Sequence, residues 1–188
     1  MEYKAVIKSI EIMSIYIIIL SLMEIATAFL LNFTEFNVLP NSILLQELIF
    51  SSKYVNLSGS IFWVFLIISM FFFLILGVHM YRISVKKNIE SKPLAKYLVI
   101  IGMTLLLGGF VKMDYLVLLG KTKVEISALN SIPFQTALYD SSITPFIAGV
   151  FWIFLISVIV CFLITGVIIT AAAIKWTADL DRESKSNT

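Results

Sequence analysis

Four long apolar segments constrain this chain most strongly, because each is long enough to cross a lipid bilayer. They span residues 10–31, 61–83, 97–119 and 145–176. A transmembrane helix needs about 20 apolar residues to cross roughly 30 Å of hydrocarbon, and only 14% of this chain is charged. The segments are apolar on every face, unlike the alternating strands of a membrane barrel. The sequence therefore predicts an all-α integral membrane protein, built as a four-transmembrane-helix bundle.

The remaining residues complete one predicted transmembrane domain, in which we identify no internal repeat. They form two longer outer loops, a short inner loop and a polar tail, at residues 32–60, 120–144, 84–96 and 177–188. We expect the tail to be frayed, as chain termini often are. The fourth helix would measure about 48 Å at 1.5 Å per residue, so it must tilt strongly or project from the membrane.

Basic residues are divided unevenly between the two predicted sides of the membrane. One side collects ten of them, namely Lys4, Lys8, Arg82, Lys86, Lys87, Lys92, Lys96, Lys175, Arg182 and Lys185, and the other collects Lys53, Lys112, Lys121 and Lys123. Positive charge concentrates in cytoplasmic segments, so we predict cytoplasmic N and C termini and a multi-pass protein of the cell membrane. We predict that membrane lipids are partners and that their headgroups contact Arg82, Lys86 and Lys87. We do not predict nucleic acid as a partner.

The first outer loop contains a short amphipathic segment. Leu44, Leu45, Leu48 and Ile49 share one helical face, and Asn41 or Ser42 is placed to cap the helix. We predict a helix that lies on the outer membrane surface. The alternative is a helix that folds back onto the protein itself.

Two charged residues lie deep in the apolar segments, where each costs at least about 2.5–3.5 kcal/mol at mid-depth. Glu24 shares a helical face with Ser14, Ser21 and Ala28, and Lys112 shares one with glycines of the third helix. Counted from the inner helix ends, the two charges reach similar depths. We therefore predict an intramembrane ion pair between Glu24 and Lys112, which either fixes helix register or forms a proton or ligand site.

A second polar group lies where the third helix meets the outer loop. Asp114, Lys121 and Glu125 are candidates for an outer-interface cluster. Asp114 is two residues from Lys112 and points to nearly the opposite side of a regular helix. Either the helix breaks near Gly108 and forms a re-entrant segment, as in transporters, or Asp114 reaches the outer headgroups, which we favour.

Few residues are available for metal or cofactor chemistry. His79 is the only histidine and Cys161 the only cysteine, which excludes a bis-histidine haem, a Cys-only zinc site and an iron–sulfur cluster within one chain. We predict no metal and no cofactor. His79, near the inner end of the second helix, is a candidate contact for a partner subunit or a quinone headgroup, whereas Cys161 has apolar neighbours and is expected to be structural.

No phosphate-binding loop, dinucleotide fingerprint or hydrolase motif accompanies the helices. We therefore expect a non-catalytic accessory or structural subunit of a larger hetero-oligomeric membrane complex, such as a respiratory or other energy-transducing assembly. One alternative is a small carrier or channel that uses Glu24 and Lys112. The other is a quinone- or lipid-linked enzyme subunit with its site at the outer interface.

Overall fold

The computed structural model describes residues 3–38, 41–86, 91–127, 130–140 and 146–186, and within them the fold is predominantly helical. The helices are α1 (Tyr3–Asn32), α2 (Leu45–Ser51), α3 (Gly59–Lys86), α4 (Ser91–Lys121), α5 (Phe134–Tyr139) and α6 (Phe146–Ser186). Four of these, α1, α3, α4 and α6, are long and apolar enough to span a membrane. The prediction of an all-α fold with four such helices is confirmed to this extent.

Short strands in the two long loops were not predicted. Strands β1 (Glu35–Val38) and β2 (Asn41–Leu44) form an antiparallel hairpin. Strands β3 (Lys53–Tyr54), β4 (Leu57–Ser58), β5 (Lys123–Ser127) and β6 (Asn130–Pro133) form a second sheet in the order β4-β3-β5-β6. The first strand of each loop hairpin alternates polar and apolar residues, EFNV in β1 and KVEIS in β5, so a period-2 signal was present in the sequence. Strands β3 and β4 have two residues each and carry no such signal.

The described chain forms two compact units. The terminal unit comprises Met1–Ser21, Phe72–Phe110 and Val160–Thr188. The loop unit comprises Leu22–Phe71 and Val111–Ile159 and contains both small sheets. The interpretation of the whole chain as a single domain stays a prediction.

In the terminal unit, helices approach closely where one of them carries a small residue. A Cβ atom at Gly102 of α4 would lie 2.7 Å from the backbone nitrogen of Thr170 in α6, and one at Gly77 of α3 would lie 2.9 Å from Ile18 Cγ1 in α1. Phe73 and Phe162 stack with ring centroids 4.5 Å apart, and both are fully buried. Small residues that admit such contacts are the usual basis of helix packing in membranes.

The tail after Trp176 is helical as far as Ser186, so the expectation of a frayed tail was wrong. The α6 helix of 41 residues extends for about 61 Å at 1.5 Å per residue. Lys92 of α4 forms an ion pair of 2.6 Å with Asp181 of this extension. Both side chains are about half exposed, so the pair contributes little by itself.

The short helix of the first outer loop begins later than predicted. Asn41 and Ser42 belong to β2, and α2 begins at Leu45 without a side-chain cap. Leu45, Leu48 and Ile49 are buried within the protein. The alternative prediction, a helix folded back onto the protein, therefore describes this segment, and the prediction of a membrane-surface helix was wrong.

Contrary to our expectation, the chain contains an internal repeat. The first half runs α1, β1, β2, α2, β3, β4 and α3, and the second half runs α4, β5, β6, α5 and α6. Among the described residues, the two orders therefore match apart from the β3–β4 hairpin of the first half. Residues 63–78 read WVFLIISMFFFLILGV and residues 152–167 read WIFLISVIVCFLITGV, with nine of sixteen residues identical. The second strand of each loop hairpin begins with the same triplet, Asn41-Ser42-Ile43 in one half and Asn130-Ser131-Ile132 in the other.

The pattern of buried residues repeats between the two halves, as the sequence does. Buried residues of α1 occupy the same relative positions as buried residues of α4, at the sequence separation of 88 that joins Glu24 to Lys112. The pairs are Val6 and Leu94, Ile10 and Leu98, Ser14 and Gly102, Ile17 and Leu105, Ser21 and Gly109, Glu24 and Lys112, Ala28 and Leu116, and Leu31 and Leu119. The α3 and α6 helices correspond at a separation of 89 residues, with Trp63, Phe73 and Gly77 matching Trp152, Phe162 and Gly166.

The loop hairpin of the second half is one residue longer in its first strand than the hairpin of the first half. The β5–β6 ladder has a register irregularity between Glu125 and Ser127, where the β1–β2 ladder is regular. A bulge adds one residue to one strand of a pair. The bulge accounts for the change from a separation of 88 residues between matching positions of α1 and α4 to a separation of 89 residues between those of α3 and α6.

Candidate functional site

The centre of the candidate site is an ion pair in the loop unit. Lys112 Nζ of α4 donates a hydrogen bond to Glu24 Oε2 of α1. Both side chains are 0% exposed. The structure thus brings together the two charges that the sequence singled out, on two continuous helices.

The surrounding face of α1 is small and polar. Ser14, Ser21 and Glu24 are fully buried, and Ala28 is nearly so. The hydroxyls of Ser14 and Ser21 donate to backbone carbonyls of their own helix, at Glu11 and Ile17. Since these hydroxyls are satisfied locally, they leave Glu24 and Lys112 as the charged contact between α1 and α4.

The two charges occupy equivalent positions in the two halves of the chain. In an arrangement of identical halves, this position would face a copy of itself, and two like charges would be buried together. An acid in one half and a base in the other convert that repulsion into attraction. The pair thereby makes the two halves complementary. Buried polar pairs fix the register between helices in several helical assemblies.

One oxygen of the pair is left without a hydrogen bond. Glu24 Oε1 is buried and has no partner among the described residues. A buried carboxylate oxygen without a partner carries a desolvation cost of about 1–3 kcal/mol, so this atom is available to a small donor such as water or a proton.

The predicted outer-interface cluster comes together only in part. Lys121 and Glu125 line one cleft of the loop unit, whereas Asp114 is not among the described residues that line it. Asp114 lies exposed on α4, which continues without a break from Ser91 to Lys121. The re-entrant alternative was therefore wrong, whereas a shared site for all three residues stays a prediction.

The remaining candidates lie in the terminal unit. The His79 side chain is exposed on α3 and contacts Tyr97 of α4 edge-to-face, with ring centroids 5.8 Å apart. Arg82 is exposed, Lys86 ends α3, and Lys87 lies outside the described residues. Within the part of the chain that the structure describes, no three His, Cys, Asp or Glu side chains gather as a metal site would require.

Two lysines of the loop unit were not proposed from the sequence as site residues. Lys53 and Lys123 face one another across β3 and β5 and line the same cleft as Lys121. A sequence signal exists for part of this arrangement, because the repeated Asn-Ser-Ile triplet marks two equivalent hairpins. The β3–β5 pairing joins residues from different loops and has no local signal.

The chain has no match among protein-family models, and neither curated proteins nor solved structures gave a significant match to it.

Proposed function

We propose that this chain is a non-catalytic structural subunit of a larger membrane protein assembly. The observation that carries the proposal is the closed ion pair: Glu24 and Lys112 bind each other and are fully buried. Charges used in this way fix the packing of α1 on α4. Ring stacking between Phe65 and Tyr115, with centroids 5.0 Å apart, ties α3 to α4 in the same unit.

The proposal includes a membrane location and topology. The four long helices are inserted in the cell membrane, with both termini and the 84–96 segment in the cytoplasm. Support comes from the uneven distribution of basic residues, since cytoplasmic segments carry the excess of lysine and arginine. The apolar side chains exposed along these helices, such as Phe71 and Ile75 of α3, then contact lipid or neighbouring subunits.

The test is recovery of the chain with its neighbours from native membranes. A tagged full-length chain would be extracted directly into polymer-bounded lipid discs, and co-purifying proteins would be quantified by mass spectrometry. We expect at least one membrane protein in a fixed stoichiometric ratio. Recovery of the chain alone, as a monomer or homo-oligomer, would contradict the proposal.

A matched variant separates assembly from folding. Exchanging the two charges, as Glu24→Lys with Lys112→Glu, keeps an ion pair at the same place and should leave partner recovery unchanged. If the exchanged variant folds but loses its partners, the pair has a role beyond internal packing.

A small cation or proton carrier is the second candidate. Two observations favour it: Glu24 Oε1 has no partner among the described residues, and the pair lies between two sequence repeats, where transporters place their sites. Proteoliposomes containing the purified chain and a pH-sensitive dye would report proton flux. Flux that Glu24→Gln abolishes would support this candidate, and wild-type flux equal to that of empty liposomes would remove it.

A further inference from the structure

We propose that the loop unit binds a phosphate group in a cleft lined by Lys53, Lys121 and Lys123. The cleft has a volume of about 450 Å³ and is also lined by Glu125, Ser51 and Ser131. All three lysines are exposed. With one carboxylate among three ammonium groups, the cleft is cationic.

The strand register brings two of the lysines together. Lys53 is paired directly with Lys123 across the antiparallel β3 and β5 strands. Like charges in directly opposed positions destabilise a sheet. Neither residue forms an ion pair with a described carboxylate. An anion bound between them would remove this repulsion, and ammonium groups form strong charge-assisted hydrogen bonds with phosphate oxygens.

The internal repeat indicates that the cationic cleft is not required by the fold. The positions in the first half that correspond to Lys121 and Lys123 are occupied by Phe33 and Glu35. Glu35 pairs across its hairpin with Leu44, as Lys123 does with Pro133. The hairpin backbone therefore forms with a carboxylate or with an ammonium group at this position. The fold does not require the lysines of the second half, and a bound anion would explain their presence.

The cleft lies at the end of an apolar helix. Lys121 is the last residue of the α4 segment that is long and apolar enough to span a membrane, and Lys123 begins β5 directly after it. In a bilayer, the end of such a span meets the polar headgroup region. The phosphate of an anionic lipid would be within reach of these side chains.

A strained apolar residue lies beside the lysines. Val55 also lines the cleft, is 80% exposed and has a φ of 56°. A β-branched residue with positive φ is a genuine outlier, and such strain concentrates at ligand-binding sites. Leu57 of the same hairpin is half exposed. Apolar side chains beside three cations suit an amphiphile that carries a phosphate better than they suit free phosphate.

The experiment compares the purified full-length chain with a variant that combines Lys53→Gln, Lys121→Gln and Lys123→Gln. Three probes would be titrated separately in neutral detergent: dioctanoyl phosphatidylglycerol, dioctanoyl phosphatidylcholine and inorganic phosphate. Binding would be followed by native mass spectrometry and by the thermal unfolding midpoint, which rises when a ligand binds the folded state. A variant with arginine at all three positions keeps the charge and serves as the matched control.

We expect the glutamine variant to bind the anionic probe about a hundredfold more weakly, because each cation near an anionic group contributes about a factor of five. The arginine variant should bind as the wild type does. A response to phosphatidylglycerol alone identifies a lipid headgroup as the source, and a response to inorganic phosphate identifies a soluble phosphate. Equal binding by the wild type and the glutamine variant, or a wild type that binds neither anionic probe, would overturn the proposal. The unliganded unfolding midpoint shows whether the glutamine variant is folded.

Discussion

At the scale of single residues, the Glu24–Lys112 pair has the greatest consequence for stability. A charge buried in hydrocarbon is tolerated when its partner remains, and removal of one partner leaves the other uncompensated. Because the two positions are equivalent in the two halves, we expect either order of charges to satisfy the same geometry. This property distinguishes a packing device from a site that requires a carboxylate in one particular place.

We predict that Glu24→Lys lowers the free energy of unfolding by about 3–5 kcal/mol, since it buries two ammonium groups against each other. The exchanged double variant, Glu24→Lys with Lys112→Glu, should recover most of this loss. The measurement is the thermal unfolding midpoint in detergent. It would be followed with a thiol-reactive dye at Cys161, the sole cysteine of the chain, which is half-buried.

A double-mutant cycle with Glu24→Gln and Lys112→Met gives the strength of the pair. We expect a coupling free energy of at least about 1 kcal/mol, as for other contacting charged groups. Lys121→Met, at an exposed lysine on the same helix, is the control and should change stability by less than about 0.5 kcal/mol. Coupling close to zero for the buried pair would refute its structural role.

At the scale of helices, close approach at glycine determines the packing of α4 on α6. We predict that Gly102→Ala destabilises the protein by about 1–3 kcal/mol, because the added Cβ would lie 2.2 Å from Thr170 Oγ1 and 2.7 Å from its backbone nitrogen. The backbone contact cannot be relieved by rotating a side chain. The dye-monitored unfolding midpoint measures the effect.

Gly108→Ala on the same helix is the matched control. Its added Cβ would lie 3.1 Å from Phe73 Cζ, and alanine is about 1 kcal/mol more favourable than glycine within a helix. We expect this variant to be as stable as the wild type or slightly more stable. Equal stability of the two alanine variants would contradict the importance of the α4–α6 contact.

The long helices could be predicted from sequence because each apolar segment carries its own signal of length and hydropathy. Depth counted along these helices also placed Glu24 opposite Lys112. The β3–β5 pairing could not be predicted in the same way, since Lys53 meets Lys123 only after both loops have folded. This pairing depends on a contact remote in sequence, which no local pattern of residues records.

The repeat was missed for a different reason. Apolar helices draw on few residue types, so similarity among them is easily attributed to shared composition. The most informative core position also differs between the halves, with an acid at 24 and a base at 112. The paired tryptophans and the repeated Asn-Ser-Ile triplet were the signals that could have revealed the duplication.

At the scale of the whole molecule, the repeat makes each half a candidate for independent insertion. We predict that two fragments, divided at residue 88 and expressed together, associate in the membrane and co-purify. Interhelical polar contacts and small-residue packing favour such association in lipid. Glu24→Lys in the first fragment should abolish co-purification, and Lys112→Glu in the second should restore it. Failure of the wild-type fragments to associate would contradict this prediction.

The distribution of charge over the whole chain predicts its orientation. We predict that the four spans place both termini on one side of the membrane and that the ten basic residues on that side assign it to the cytoplasm. In a Cys161→Ala background, one new cysteine would be introduced at Thr136 of α5 or at Ser184 near the end of α6, both of which are exposed. A membrane-impermeant maleimide applied to intact cells should label Thr136→Cys.

Ser184→Cys should react with the same reagent only after the membrane is permeabilised. Labelling of both positions after permeabilisation controls for accessibility within the fold. The opposite pattern would reverse the predicted orientation, and labelling of both positions in intact cells would exclude cytoplasmic termini. Reversal would also move the lysine cleft at Lys53, Lys121 and Lys123 to the cytoplasmic leaflet, where anionic lipids create the stronger negative surface potential. The orientation therefore determines which side of the membrane the proposed phosphate site faces.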